Sequence, residues 1–162
     1  MISNWSNVLT ELRAKTESSI GAGSIDPYYC EIPEGANLND SADLYMTQGF
    51  VWELNEADLA GDNFNNLRVQ QRSLSLIITR EININSTNTS GFATLKTEML
   101  AHAELVRLQI AGDRQLNQKA IDAYWISDSG INEITDPNPE NPGARYYVLA
   151  SEYLVKIEVS DC

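Results

Sequence analysis

Residues 72–84, RSLSLIITREINI, alternate in polarity along their whole length. Leu74, Leu76, Ile78, Ile82 and Ile84 take every second position, with Arg80 the single interruption. Ser73, Ser75, Thr79, Glu81 and Asn83 share the other positions with Ile77. A sustained period of two specifies a β-strand with one buried face and one wetted face, because successive side chains of an extended chain point to opposite sides. The run is longer than an ordinary strand of roughly six residues. It therefore belongs at the centre of a sheet or in one arm of a long hairpin.

A second such run spans Arg145 to Val159. Tyr147, Leu149, Tyr153, Val155, Ile157 and Val159 line one face, and Tyr146, Val148, Glu152, Lys156 and Glu158 the other. It is the natural antiparallel partner of the first. Gln48–Asn55 alternates as well, with Phe50, Trp52 and Leu54 against Val51 and Glu53. Lys119–Ser127 reads as a strand through Ile121, Ala123 and Trp125; a helix continued through Leu116–Tyr124 is the competing reading. Tyr28–Ile32 either adds a short strand or stays irregular within Ser24–Thr47, a long stretch punctuated by Pro27, Pro33 and Gly35.

Two segments carry helical spacing instead. In Ser3–Ile20 the stripe is Trp5, Leu9, Leu12, Thr16 and Ile20 with Val8 beside it; Ser3 or Asn4 caps its start and Gly21 and Gly23 end it. In Phe92–Ala111 the stripe is Leu95, Met99, His102 or Ala103, Val106 and Ile110, widened by Leu100 and stopped by Gly112. Asn85–Gly91 reads as a linker and Ser127–Ala144, which holds DPNPENPG, as a loop, since proline cannot donate to a ladder. The expectation is one α+β domain with two helices packed on a mostly antiparallel sheet, in the order α-β-β-α-β-β. That sheet has four strands, or five if Tyr28–Ile32 joins it.

Charge narrows the partners. Eleven basic residues against 23 acidic ones give a formal charge of −12 over 162 residues. Such a field repels nucleic acid and anionic membranes, although DNA can still pass it without being gripped. No apolar run reaches the roughly 20 residues that span a bilayer, and the amphipathic start carries no signal-peptide pattern. Cys30 and Cys162 are too few for a disulfide framework and read as two free thiols of a soluble, cytoplasmic chain, with a single bridge between them the alternative.

Motifs for chemistry are sparse. His102 is the sole histidine, with Glu98 one turn before it. The two could share a metal or a proton, but two ligands on one helix fix no metal, and an ordinary helix pair is the better reading. Asp128, Ser129, Gly130, Asn132 and Glu133 are oxygen-rich without the spacing of a calcium loop and read as a solvated turn. No phosphate-binding GxxxxGK, GxGxxG or GxSxG elbow occurs. Trp52, Tyr146, Tyr147 and Tyr153 lack the basic groove that a base-stacking platform needs. The expectation is a protein with no catalytic residues, cofactor or metal. Arg68, Arg72 and Arg80 stand out where cations are scarce; they read either as bidentate partners of a neighbouring subunit's carboxylates or as exposed arginines without a specific role.

Taken together, NWSNVLTELRAKTESSI, FVWEL, RSLSLIITREI, TLKTEMLAHAELVRL and YLVKIEV resemble the tail terminator (tail completion) proteins of tailed bacteriophages, in length and in order of elements. The resemblance rests on pattern over the whole chain, since that family has no catalytic signature. It implies a virion protein that forms a ring, typically of six copies, capping the tail tube and meeting the head-side connector while DNA passes through the hole. An acidic lumen would keep that passage slippery. The expected partners are copies of the chain, the tail tube protein and the connector or stopper protein, with no membrane. The subunit contact is expected to involve a long hairpin arm or the loop Glu56–Gln71, with Asp62, Phe64, Arg68, Arg72 and Arg80. A head-closure or stopper ring is the nearest alternative, and a monomeric α+β ligand-binding domain or small enzyme the alternative from another class.

Overall fold

Two long strands form the spine of the computed structural model, which describes residues 4–26, 28–32, 48–58, 69–82, 89–135 and 145–158. These are β3 (Val69–Ile82) and β6 (Arg145–Glu158), antiparallel from Val69↔Glu158 to Ile82↔Arg145 without a break in register. Matching register with matching alternation places Leu74 beside Tyr153 and Ile78 beside Leu149 on one face. Each such cross-strand pair adds a few tenths of a kcal/mol to roughly 1 kcal/mol. On the far side of β3 lies β2 (Gln48–Asp58), also antiparallel, with Phe50 next to Ile78, Trp52 next to Leu76 and Leu54 next to Leu74.

Three short strands complete the sheet and correct the expected count and order. β1 (Cys30–Glu31) joins β2 in parallel, so the sheet is mixed. β4 (Asp122–Asp128) and β5 (Asn132–Thr135) both pair with β6 along its other edge. Among the described residues the sheet therefore has six strands in the order β1-β2-β3-β6-β4, with β5 also on β6. β4 and β5 are two halves of one edge. The register runs Trp125↔Tyr153, then Ser127↔Glu152 after a bulge, then resumes at Asn132↔Val148. Ser129 spans the interruption: its backbone N–H donates to the Ala150 carbonyl at 2.7 Å, and its Oγ accepts from the Ala150 N–H at 3.0 Å. The expected loop over Ser127–Ala144 thus contains a strand. NEIT is too short, with one apolar residue among its four, to display a period of two.

Both helices lie on the Leu74–Leu76–Ile78 face. α1 (Trp5–Ile20) begins at Asn4, whose Oδ1 accepts from the Asn7 N–H at 2.8 Å. It buries Val8, Leu12, Thr16 and Ile20. Thr16 Oγ1 accepts the Trp52 indole N–H at 2.8 Å, which satisfies a polar group inside the core. α2 (Thr89–Ala111) starts earlier than the expected Phe92. The first turn of a helix needs no intrahelical donors, so polar Thr89, Ser90 and Gly91 do not prevent it. Its inner stripe is Met99, Ala103, Val106 and Ile110. Leu100 corrects the expected stripe by pointing outward, 48% exposed.

The opposite face of the sheet presents Val51, Ile77, Val148 and Ala150, all partly exposed, and no helix among the described residues packs over it. Among the described residues the fold is therefore a two-layer arrangement with helices on one side of the sheet.

Between α2 and β4 the chain makes a left-handed turn in which Leu116, Asn117 and Gln118 have φ of 50°, 52° and 65°. A continued helix is thereby excluded. Leu116, fully buried, anchors the turn. Asp113 accepts from the Asn117 N–H at 2.7 Å and from buried Lys15 of α1 at 2.9 Å. Left-handed backbone costs a residue with a Cβ about 1–2 kcal/mol. Gln118 is exposed, so Gln118→Gly should raise the unfolding free energy by about 1 kcal/mol while Gln118→Ala does not. Urea unfolding of the three proteins reads the difference.

Candidate functional site

Arg72 and Arg80 are both engaged inside the subunit. The Arg72 guanidinium lies 5.7 Å from the centre of the Trp5 ring, whose indole N–H donates to Gln70 at 3.1 Å. Arg80, with a side chain only 12% exposed, donates to Glu98 of α2 at 2.6 Å. It breaks the apolar row of β3 because it serves as the tie between that strand and α2. Asp62, Phe64 and Arg68 lie outside the described residues, as do Cys162 and most of the loop Glu56–Gln71.

Beside Arg80 is a polar cluster that joins three elements. Tyr29, fully buried just before β1, is hydrogen-bonded through its hydroxyl to Nδ1 of His102 at 2.9 Å. The two rings meet edge to face, 5.3 Å apart at 80°. Burial holds the Tyr29 hydroxyl well above its ordinary pKa. Burial first, and the Arg80 cation second, hold His102 below the ordinary value of 6.5. The cluster can keep a neutral imidazole bonded to a neutral phenol at physiological pH. Glu98, expected as the possible partner of His102, is instead paired with Arg80.

The remaining candidates also serve the framework. Asp128 accepts the Trp125 indole N–H at 2.8 Å, Glu133 is bonded by Arg145, and Ser129 closes the edge of β6. Trp52, Tyr147 and Tyr153 are buried, with Trp52 and Tyr153 5.3 Å apart in the core. Cys30 is a free, exposed thiol. Among the described residues no group of three His, Cys, Asp or Glu side chains is placed to hold a metal ion. Among the same residues no helix is long and apolar enough to cross a membrane.

The surface least like that of a solitary subunit is the outer side of α2. Leu100, Leu105 and Leu108 are 48%, 41% and 59% exposed; Leu105 and Leu108 face away from the buried Met99–Ile110 stripe, Leu100 lies on its flank, and exposed Glu104 stands between Leu100 and Leu108. Ala101 and Ala111 lie among them, also exposed. Arg107 continues this surface toward β4, with its guanidinium 4.6 Å from the centre of the Trp125 ring. Trp125 and Ile126 are exposed there as well. Reading one stripe per helix missed this second one. The available signal was a helix apolar on both sides, a pattern that a surface helix does not need.

No model of a known protein family matches the chain, and no curated protein sequence is significantly similar to it.

The His102 environment fixes a pH dependence and its sign. Its folded pKa lies below the unfolded value of 6.5, so the unfolded chain takes up the proton first as pH falls. The stability held by the neutral pair is complete above 6.5 and is lost as pH falls through the folded value. Asp113, held below its ordinary 3.8 chiefly by its hydrogen bond from Lys15, acts with the same sign in a lower window. His102→Gln should flatten the decline that begins just below pH 6.5 and leave the carboxylate window in place. Urea unfolding at half-unit pH steps measures both.

Proposed function

We propose that this chain is a structural protein of a tailed phage virion, a tail terminator whose copies close into a ring on the head-proximal end of the tail tube. The carrying observation is α2, apolar on two sides and buried on one. Its exposed leucines leave an apolar surface of about two and a half turns that a permanently solitary chain has no reason to keep. The α+β architecture and the resemblance in element order support the same reading. So does the charge of −12, which suits a ring that DNA traverses without being held. The ring has six copies in this reading, it forms in the host cytoplasm, and its work is done in the virion. It meets the tube protein on one side and the head-side connector on the other. No catalytic step is assigned to any residue.

In a ring, each copy offers two different surfaces and contact propagates until it closes. Arg68, Asp62 and Phe64, carried between β2 and β3, remain candidates for a contact made by the arm of that hairpin. The purified full-length chain should show a native mass of about six subunits and should co-sediment with isolated tail tubes. Single chains at high concentration overturn the ring. Rings that bind connectors but not tubes transfer the protein to the stopper position.

A further inference from the structure

The subunit is incomplete in two complementary ways. Its sheet has helices on one face and, among the described residues, no helix on the other. Its α2 has one apolar stripe on the sheet and a second with no sheet beneath it. These two surfaces lie on opposite sides of the same subunit, so neither can cover the other within one chain. We infer that the outer stripe of α2 docks on the open sheet face of a second copy of this chain, turning two layers into three across each subunit boundary. This rests on the ring-forming reading and names the surfaces that would form it.

Charge selects this pairing over the alternatives. On the open face, the row Glu53–Ser75–Glu152 crosses the sheet beside the row Val51–Ile77–Ala150. Neither Glu53 nor Glu152 has an ion-pair partner among the described residues. Two sheet faces placed together would set these carboxylates against one another. The α2 side carries no such excess. α2 holds two cations (Lys96, Arg107) and two carboxylates (Glu98, Glu104), a net of zero in a chain of −12. Arg107 already meets Glu104 at 3.1 Å, and Arg114 meets Asp122 at 2.6 Å. Arg114, stacked on Tyr124 beside Asp122, lies at the rim of the open face itself; Arg107 is partly exposed on the α2 side, and in a helix-to-sheet contact it can share the next copy's Glu53 or Glu152. Pairing α2 with α2 would avoid repulsion too, but would leave every open sheet face uncovered. Only helix on sheet covers both surfaces, and it propagates head to tail as a ring requires.

The contact is tested by spoiling one surface at a time in the full-length chain and reading mass by sedimentation velocity, with circular dichroism checking the fold. Leu108→Glu spoils the helix side at an exposed position, with Leu105→Glu as the second variant. Ile77→Lys spoils the sheet side, with the double variant Glu53→Lys/Glu152→Lys as its second. Each variant alone should remain a single chain, needing roughly a hundredfold higher concentration to assemble. Leu108→Glu mixed with Ile77→Lys should give pairs and nothing larger, because each retains the surface the other lacks. Wild-type rings with Leu108→Glu rings alongside overturn the contact and leave the ring reading intact. A Leu108→Glu chain that stays single while both sheet variants assemble shows that α2 meets something other than the sheet, and also overturns it. Wild-type single chains overturn both.

Discussion

The ladder between β3 and β6 is the constraint on which everything else in this chain depends. It joins residues about 75 positions apart in an unbroken register, so its formation carries the largest loop-closure cost of any strand pairing in the sheet. That cost is met by side chains aligned row by row. Leu74, Leu76 and Ile78 stand beside Tyr153, Ser151 and Leu149, and β2 extends the rows with Leu54, Trp52 and Phe50. A slip of one residue would turn all of them to the wrong side of the sheet. The helices follow from this surface, because α1 and α2 fill the greasy face that the ladder creates.

That dependence explains what could be read from residue order alone. The two long strands, their pairing, the strand at Gln48, both helices and a cap at Ser3 or Asn4 were legible because each rests on a period or a terminal residue type. The breaks were not. β5 is four residues held by β6 and by Ser129, and its existence depends on a partner distant in sequence. The bulge at Ile126, between the Trp125↔Tyr153 and Ser127↔Glu152 pairs, depends in the same way on the edge of β6. The left-handed turn at Leu116–Gln118 has no glycine to announce it, since buried Leu116 and the Lys15–Asp113 pair enforce it from outside.

The candidate residues divide on the same line. Arg80 was noticed as a break in an apolar row, and the structure gives that break a cause: its charge is spent on Glu98 beside the neutral Tyr29–His102 pair. The outward leucines of α2 were obscured by their abundance. A helical stripe is found by contrast with a polar opposite side, and α2 offers little contrast. A helix that fails an amphipathicity test while lying at the surface points to a partner in itself.

Association of so acidic a chain with its own copies looks unfavourable at first, yet charge and contact are separable. At physiological salt the screening length is about 8 Å, so carboxylates far from a contact count for little and those within it decide. An interface between like-charged copies must therefore set a surface that carries the excess against one where it is absent. In this chain the second kind is α2, whose Lys96 and Arg107 balance Glu98 and Glu104. The apolar surface and the neutral surface coincide there. The remaining excess of carboxylates lies elsewhere, available to discourage non-specific aggregation and, in a ring, to keep a polyanion moving through the hole.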